Sequence, residues 1–392
     1  MLSVQQAKQL IGSVILPDNT ALLPLAEAHG LVLAQDIFAN TDIPAYPQSS
    51  MDGYAIMFDD HSKALTIAGE MKAGESNQQK LLPEQAFRIF TGAPLPEGAD
   101  TVIMQEKITL KDGDIICNDE KIVRGQHVRP RGAEVQAGKK SMAAGTCLSA
   151  AAIGFLAGIG FAEIPVYAPP KLAIIITGDE LQTPGRPLAF GQVYDANAVQ
   201  LSAAAAKAGI SSITILRAVD TPESVRQALQ EALNGAGLVL VTGGVSVGDY
   251  DHVVAAANSC GIDTLFHKIK QKPGKPLFFG CKEDKLVFGL PGNPSSALTC
   301  FYEYVLLLLD RWMHRQASVT QLKALATHLY PKPAGLTHFI KAFYADGKVT
   351  PLNAQESFRL SSFAQANCFL VLDEQTEGCK AGEEVEVHLL PI

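Results

Sequence analysis

The sequence predicts an α/β protein of several domains, whose central part is a parallel β-sheet covered by helices on both faces. The chain has 392 residues. A single hydrophobic core seldom supports a chain of this length, so roughly two to four domains are expected. Apolar, partly β-branched runs alternate with helical stretches in the middle of the chain, which is typical of a buried parallel sheet. The runs are Leu172–Thr177, Ile213–Val219, Leu238–Thr242 and Lys285–Leu290, and the helical stretches are Asn197–Lys207, Pro222–Leu233 and Tyr250–Asn258.

The regions on either side of this centre have other patterns. Residues 3–35 are predicted to be helical, because their first apolar residues recur at spacings of three and four. Residues 52–128 contain short β-type runs and an Asp112-Gly113 hairpin turn, which predicts a small β-rich insert. Residues 131–168 are rich in alanine and glycine and are again predicted to be helical. After Arg315 strand patterns return, so the end of the chain is predicted to be a separate small β domain.

Composition narrows the class of protein. Its formal net charge of −8 argues against a general nucleic-acid binder, although a local lysine cluster could still bind an anionic ligand. The seven cysteines are scattered without a C-x-x-C pair, which suits a reducing cytosol. The longest apolar run, Ala150–Ala162, has 13 residues, whereas a membrane span needs about 20. The first ten residues lack the apolar region of a signal peptide. We therefore expect a cytoplasmic protein without a membrane segment.

Three turns of unusual composition follow predicted strands. They occupy residues 177–181, 242–251 and 291–296. Because ligands bind outside the carboxyl ends of the strands in an open parallel sheet, we expect the three turns to share one edge and to form the site.

The first two turns combine anion-binding groups with acids. Gly243 and Gly244 would let backbone N–H groups approach an oxyanion, and Ser246 adds a hydroxyl donor. A tight strand-to-helix turn without a ligand is the alternative. The neighbouring acids would repel a phosphate unless a divalent cation lay between them, which predicts a magnesium site. These acids are Asp179, Glu180, Asp249 and Asp251.

The third turn and a lysine loop supply further candidates. Asn293 is predicted to cap the helix Ser295–Leu309, with Pro294 at its first position, either as a cap alone or also as a phosphate site. In Lys272-Pro273-Gly274-Lys275-Pro276, two prolines stiffen a loop whose ammonium groups could clamp an anion. Lys268 and Lys270 extend this basic patch; a merely solvated loop is the alternative.

The motifs taken together closely resemble the molybdopterin molybdenumtransferases, the family of the MoeA proteins and the gephyrin E domain. The resemblance covers essentially the whole chain and rests on motifs in this order: Met51-Asp52-Gly53-Tyr54-Ala55, Thr91-Gly92-Ala93-Pro94, Thr177-Gly178-Asp179-Glu180-Leu181, Asp195, Gly243-Gly244-Val245-Ser246-Val247-Gly248, Lys272-Pro273-Gly274-Lys275-Pro276 and Gly289-Leu290-Pro291-Gly292-Asn293-Pro294.

The resemblance implies four domains and a reaction. Residues 1–43 and 131–168 would form a helical and extended dimerisation domain, with residues 44–130 as an inserted β-rich domain. Residues 169–315 would form the α/β molybdopterin-binding domain and residues 316–392 a C-terminal β-barrel. The implied reaction converts adenylylated molybdopterin and molybdate into molybdenum cofactor and AMP with Mg²⁺. The implied assembly is a homodimer with its active site at the subunit interface, and the implied protein partners are other enzymes of molybdenum cofactor biosynthesis.

The resemblance also implies roles for individual residues. Asp52 matches the essential acid that one subunit contributes to the cleft of the other, and Thr91 matches the threonine of the T-G-A-P turn. Glu180 and Asp251 match acids with catalytic and metal-binding roles. The implied substrate-binding residues are Glu134, Asp220, Gly243, Gly244, Ser246, Lys272, Lys275, Pro291 and Pro294.

The sequence departs from the family pattern at two positions, and two rival functions stay open. Glu134 stands where the family usually has aspartate, and Glu356 replaces a frequent glycine beside Ser357, so the role of residues 357–362 stays open. One rival is a molybdopterin adenylyltransferase, whose chains are about half as long and lack the Asp52 and Thr91 segments. The other is a non-catalytic scaffold like gephyrin.

Overall fold

The computed structural model describes residues 1–74, 77–244 and 252–391. The chain forms two compact units. The larger unit consists of Met1–Leu22, Gly30–Val32 and Pro165–Ile392. The smaller unit consists of Leu23–His29 and Leu33–Ile164.

The two segments predicted to be helical are helical only in part. Helix α1 is Val4–Ser13, capped by a reciprocal hydrogen-bond pair between Ser3 and Gln6. The chain then turns extended at Val14, because β-branched residues and Pro17 disfavour another helical turn. The prediction of helix over residues 3–35 was therefore wrong beyond Ser13. Likewise, residues 131–168 contain the single described helix α2, Ala150–Gly158, and strands on either side of it.

The smaller unit is built on a six-stranded sheet, as its β-rich sequence predicts. Its strands are β1 (Gly53–Ile56), β2 (Ala64–Met71), β3 (Gln85–Ile89), β4 (Thr101–Met104), β5 (Ile108–Lys111) and β6 (Asp114–Cys117). Their order is β4-β1-β3-β2-β6-β5. The Asp112-Gly113 turn joins β5 to β6, with φ of 54° and 93° at its two residues. Positive φ at both positions is the geometry that Asp-Gly favours, so the predicted hairpin is confirmed.

The larger unit contains the predicted central sheet, but that sheet is mixed. Its strands are β7 (Leu172–Thr177), β8 (Ile213–Ala218), β9 (Leu238–Thr242), β10 (Asp263–His267), β11 (Phe278–Lys282) and β12 (Lys285–Leu290). The order is β8-β7-β9-β12-β11-β10. The first four strands are parallel, whereas β11 and β10 are antiparallel to their neighbours. The four strands predicted from the sequence are parallel as expected, and the two antiparallel strands were not predicted; the short connection from β11 to β12 permits only a hairpin.

Helices cover both faces of this sheet, as expected. The helices are α3 (Asn197–Lys207), α4 (Pro222–Gly235), α5 (His252–Ser259), α6 (Pro294–Cys300) and α7 (Leu306–Trp312), with a π-helical turn at Phe301–Val305. Alternate residues of β7 point to opposite faces: Ile174 is buried with α1, α3, α6 and α7, and Ile175 is buried with α4 and α5. Apolar residues on both faces of each strand explain why the sequence shows continuous apolar runs.

The end of the chain forms a closed five-stranded barrel. Its strands are β13 (Thr320–Ala326), β14 (Thr337–Ala345), β15 (Lys348–Pro351), β16 (Cys368–Leu372) and β17 (Glu384–Leu389). Pairing of β14 with β16 closes the order β14-β15-β13-β17-β16. The short strand Gln271–Lys272 pairs with β14, so the lysine loop adjoins the barrel.

A buried ionic cluster lies within the larger unit. The Glu303 carboxylate, on the π-helical turn, is 2.5 Å from the Lys8 ammonium of α1. Nδ1 of His388, on β17, lies 2.8 Å from Oε1 of Glu303, and its Nε2 lies 2.8 Å from Oε1 of Glu386. Both ring nitrogens thus face carboxylate oxygens, which only accept hydrogen bonds, so the imidazole is held in its charged form.

Shorter elements complete the described chain. Its remaining strands are Thr20–Pro24, Val32–Leu33, Ile37–Phe38, Gln48–Ser49, Val128–Arg129, Lys140–Met142, Glu163–Tyr167, Leu181–Gln182, Val193–Tyr194, Tyr330–Pro331 and Gly378–Cys379. Short 3₁₀ turns occupy Leu25–Glu27, Phe58–Asp60, Gln105–Lys107 and Phe363–Gln365. Within the described residues, every helix is too short or too polar to cross a bilayer.

Candidate active site

A cleft of about 620 Å³ opens at the carboxyl ends of β7, β8, β9 and β12. Residues from all three predicted turns line it, so the expectation that these turns share one edge of the sheet is confirmed for the described residues. The lining residues from the turns are Thr177, Gly178, Glu180, Leu181, Gly243, Gly244, Pro291, Gly292, Asn293 and Pro294.

The glycine turn after β9 is shaped by close backbone approach. Gly243 has a φ of +85°, and a Cβ there would lie 2.5 Å from Oγ1 of Thr177. Gly244 also has a positive φ, of +62°. The hydroxyl of Thr177 donates to the carbonyl of Thr242, which ties β7 to β9 at this edge. Only glycine fits such a position, so the two glycines leave bare backbone facing the cleft. Ser246, Asp249 and Asp251 lie outside the described residues.

Two carboxylates line the cleft beside this turn. The Glu180 carboxylate folds back over Gly178, where an added Cβ would lie 2.8 Å from its Oε2. Asp220 follows β8, and its buried Oδ1 has no hydrogen-bond partner among the described residues. The backbone N–H of Asp220 donates to Oδ1 of Asp179 at 3.2 Å, which fixes the start of this loop. A buried carboxylate oxygen without a partner is costly unless a ligand or cation satisfies it.

This donor set fits a magnesium ion held jointly with a phosphate-bearing ligand. The described residues contain no group of three or more His, Cys, Asp or Glu side chains that could hold a metal by themselves. Magnesium usually keeps several waters and takes only one or two protein carboxylates together with substrate phosphates. Glu180 and Asp220 supply such carboxylates, and the orphaned Oδ1 of Asp220 is an oxygen ligand in need of a partner.

The third turn begins the helix that runs from α6 to α7. Pro294 is at the first helical position, as predicted, and lines the cleft with Pro291. The prediction that the Asn293 side chain caps the helix was wrong. Its Nδ2 instead donates to Oγ of Ser357 at 3.0 Å, and the backbone N–H of Ser295 donates to the Ser357 carbonyl at 3.1 Å. The barrel loop, residues 352–367 between β15 and β16, therefore takes the capping role and is hydrogen-bonded to the third turn.

The lysine loop borders a neighbouring cavity of about 720 Å³. This cavity shares Pro276, Pro291 and Asn293 with the cleft. Lys272 and Lys275 line it and are exposed, so their ammonium groups are available to an anion.

A buried side chain holds the lysine loop in shape. Gln271 donates from Nε2 to the carbonyls of Pro273 and Gly274 at 3.0 and 3.1 Å, and the hydroxyl of Tyr304 donates to its Oε1. Gly274 has no room for a side chain, because a Cβ would lie 2.6 Å from Sγ of Cys300. The loop is thus rigid before any ligand arrives, as the two prolines predict.

Asp52 and Thr91 meet in the smaller unit. Oδ1 of Asp52 accepts hydrogen bonds from both the backbone N–H and the hydroxyl of Thr91, each at 2.8 Å. These bonds and the nearby Arg88 charge lower the pKa of the exposed Asp52 carboxyl. The other oxygen of Asp52 has no hydrogen bond to a described residue, so it is free to engage a ligand.

The backbone around Asp52 explains the neighbouring glycine. A Cβ on Gly53 would lie 1.9 Å from the carbonyl oxygen of Ile103, so the strand pairing of β1 with β4 excludes any side chain. Glu134 is exposed in the same unit, and its backbone N–H donates to the Ile43 carbonyl. No described side chain hydrogen-bonds its carboxylate.

Tyr194, Asn197 and Phe358 are among the cleft residues that were not predicted from the sequence to belong to the site. Nδ2 of Asn197 donates to the carbonyl of Gly292 at 2.8 Å, which joins α3 to the third turn. Asn197 lies at the start of a helix after an acid, a signal that could have been read as a cap but not as a contact with a turn 95 residues away. Phe358 comes from the barrel, and its sequence gives no sign of the cleft.

Three family models match successive parts of the chain. The model of the MoeA N-terminal region (domain I and II) matches residues 2–160. A model described as a probable molybdopterin binding domain matches residues 173–311, which contain the central sheet and the three turns. The model of the MoeA C-terminal region (domain IV) matches residues 323–390, the barrel.

Full-length relatives and a solved structure agree with these matches. The molybdopterin molybdenumtransferase of Haemophilus influenzae is 35% identical, with 100% of both chains covered. That of Bacillus subtilis is 32% identical over 95% of this chain and 90% of the relative. The crystal structure of the molybdopterin biosynthesis MoeA protein from Pyrococcus horikosii covers 99% of both chains at 29% identity, with a TM-score of 0.83. The chain belongs to the molybdopterin molybdenumtransferase family.

Proposed function

We propose that this protein is a molybdopterin molybdenumtransferase, which uses molybdate and adenylylated molybdopterin to make molybdenum cofactor and releases AMP. The observation that carries the proposal is that the cleft and the neighbouring cavity adjoin and offer different binding groups. The cleft presents a glycine turn and two carboxylates, and the adjoining cavity presents Lys272 and Lys275. A phosphate-bearing substrate and an oxyanion such as molybdate could therefore lie side by side.

The proposed binding roles follow from the geometry of the cleft. The bare backbone at Gly243 and Gly244, with Ser246, receives the phosphates. Pro291 and Pro294 shape the opposite wall. Lys272 and Lys275 hold molybdate as point charges, on a loop that loses little entropy when it binds.

Magnesium is the proposed cofactor, and Glu180, Asp220 and Asp251 are the residues that would hold it. When bound, it would neutralise phosphate charge and favour cleavage of the phosphoanhydride. The buried Oδ1 of Asp220 supports this assignment, because it has no other partner among the described residues.

Asp52 is proposed to orient a reacting group, with Thr91 fixing its carboxylate. Its lowered pKa keeps the carboxyl ionised and makes it a poor proton acceptor. We therefore assign Asp52 the role of holding a hydrogen-bond donor or the metal in place, rather than that of removing a proton. We further propose a cytoplasmic homodimer in which Asp52 serves the cleft of the partner subunit. Glu134 would contribute to the same site.

The four-domain division is part of the proposal. Its boundaries follow residues 43, 130, 168 and 315, with residues 1–43 and 131–168 as the dimerisation domain. Other enzymes of the same biosynthetic route would be the protein partners.

The decisive experiment follows AMP release from adenylylated molybdopterin by the purified chain. With magnesium and molybdate we expect AMP and molybdenum cofactor in equal amounts. Omission of molybdate should suppress AMP release, and chelation of magnesium should do the same. Formation of adenylylated molybdopterin from molybdopterin and ATP would indicate the adenylyltransferase instead. No turnover under any condition, with substrate binding intact, would indicate a scaffold.

A further inference from the structure

Two aromatic side chains line the cleft without being buried. Tyr194 is 48% exposed and Phe358 is 62% exposed. Single exposed apolar residues need no explanation. These two, however, line the same cleft from separate segments, the strand Val193–Tyr194 and the barrel loop. Their exposed surfaces are therefore available to whatever enters the cleft.

Hydrogen bonds position the Tyr194 side chain and the backbone next to Phe358, and the Arg359 guanidinium lies over the Phe358 ring at 5.6 Å from its centroid. The hydroxyl of Tyr194 donates to the Arg186 carbonyl at 3.0 Å, so its polar end is satisfied away from any ligand. Phe358 follows Ser357, which is bonded to Asn293 and Ser295 of the third turn.

The barrel loop itself is pinned by a buried lysine. Nζ of Lys341, which is 2% exposed, donates to the carbonyls of Ala354 and Arg359 at 2.9 and 3.0 Å. The loop that carries Phe358 is thus fixed from inside the barrel as well as from the rim.

We infer that Tyr194 and Phe358 form an aromatic contact surface for a flat heteroaromatic ring of the substrate, an assignment that rests on the proposed function. The glycine turn of the cleft suits the phosphate end of such a ligand, while the aromatic faces suit its ring. Stacking on a ring face tolerates any heteroaromatic system, so both the adenine and the pterin of an adenylylated pterin have the required chemistry. Tyr194 and Phe358 contribute to substrate affinity rather than to bond cleavage.

The test compares leucine with aromatic substitutions at the two positions. For Phe358→Leu and Tyr194→Leu we expect the KM for adenylylated molybdopterin to rise about tenfold, with kcat within about twofold of the unsubstituted protein. Phe358→Tyr keeps the ring and should keep the KM. Tyr194→Phe keeps the ring but loses the bond to the Arg186 carbonyl, so its KM should rise less than that of Tyr194→Leu. Tyr194 is half-exposed and Phe358 more exposed still, so the leucine variants should unfold within a few degrees of the unsubstituted protein.

Calorimetric titration with AMP alone identifies the ring. If the leucine variants lose as much affinity for AMP as for the substrate, adenine lies on the aromatic surface. If their affinity for AMP equals that of the unsubstituted protein, the pterin lies there. Leucine variants with an unchanged KM, or aromatic variants that lose as much as leucine variants, would overturn the inference. If the unsubstituted protein binds adenylylated molybdopterin but does not turn it over, the proposed function fails. Calorimetric affinities of the same four variants for that compound then decide the role of the aromatic residues.

Discussion

Glu303 and Asp220 are two acids of the larger unit, each with a carboxylate oxygen buried from solvent. They differ in the hydrogen-bond partners that the described residues give to the buried oxygen. Glu303 is surrounded by partners, because the Lys8 ammonium and the His388 imidazolium both bond to it. Asp220 has a buried oxygen with no hydrogen-bond partner among the described residues, at the wall of a cleft. A paired buried charge fixes parts of a fold to one another, whereas a carboxylate with an unpartnered oxygen at the wall of a cleft is a candidate ligand contact.

A similar contrast occurs within the exposed Asp52, where Oδ1 accepts two hydrogen bonds from Thr91 and the other oxygen accepts none from the part of the chain that the structure describes. Asp52→Asn keeps an oxygen for both Thr91 donors, so the fold should persist. Loss of the charge should lower kcat by about 10²–10³-fold, the scale found when one positioned electrostatic contact to a reacting group is lost. AMP release measures the effect. Asp114→Asn is the matched control, because Asp114 accepts a 2.9 Å bond from a threonine hydroxyl on the same sheet. Equal activity of the Asp52 and Asp114 variants would remove Asp52 from the mechanism.

Glu303→Gln should lower the free energy of unfolding and leave kcat unchanged. It leaves the charges of Lys8 and His388 without their shared partner, so the free energy of unfolding should fall by about 3 kcal/mol. That is the lower end of the usual cost, since the Lys8 side chain is still 23% exposed. Urea denaturation measures the loss. Glu386→Gln, which removes a more exposed partner of His388, should cost under about 1 kcal/mol. Equal losses for the two variants would contradict the structural role assigned to Glu303.

Asp220→Asn should show the reverse pattern. Removing the unpartnered charge should leave the free energy of unfolding unchanged or slightly raised, while kcat/KM falls on the order of 10²-fold, the scale found when a group that supports a metal is lost. Magnesium titrations of AMP release should shift to higher concentration. The control is Glu223→Gln, which removes an exposed acid of the nearby α4 whose hydrogen bonds, among the residues described, go to its helix neighbours Arg226 and Gln227. A stability loss like that of Glu303→Gln would refute the functional reading of Asp220.

The smallest expected effect is the pH dependence of stability that the ionic cluster confers. Burial alone would lower the pKa of His388, but hydrogen bonds to Glu303 and Glu386 outweigh it and raise the pKa above 6.5. Burial likewise opposes the charge of Glu303, yet Lys8 and His388 lower its pKa below 4.5. The histidine contribution is full below about pH 6.5 and is lost as pH rises through the raised pKa. The glutamate contribution is lost as pH falls through the lowered pKa.

The cluster should therefore stabilise the fold most between about pH 4.5 and 6.5. Unfolding free energies measured from pH 6 to pH 9 should decline more steeply for the unsubstituted protein than for His388→Gln. Parallel slopes for the two proteins would show that His388 does not titrate as a member of the cluster.

Local patterns in the sequence were sufficient for the framework of the cleft. Continuous apolar runs identified β7, β8, β9 and β12, and their parallel direction placed the three turns on one edge. Gly243 was recognisable as part of a glycine pair directly after a predicted strand, and the structure adds that a side chain there would clash with Thr177. The Asp112-Gly113 hairpin was equally local.

Contacts between distant segments could not be predicted in this way. Asn293 has the residue type and position of a helix cap, but Ser357 of the barrel competes for its amide. Lys8 and Glu303 look like ordinary surface charges of two helices until the fold brings them to 2.5 Å. Phe358 reads as a loop residue because the cleft that it lines belongs to another part of the chain.

The bond between Ser357 and Asn293 has a thermodynamic consequence for ligand binding. A ligand that touches both Gly243 and Phe358 binds only while the barrel loop is seated, so it holds together segments that would otherwise separate on unfolding. At a hundred times its dissociation constant such a ligand adds about 2.7 kcal/mol to the free energy of unfolding. Substrate should therefore protect the barrel and the central sheet together from heat and proteolysis, although most of the barrel never meets it.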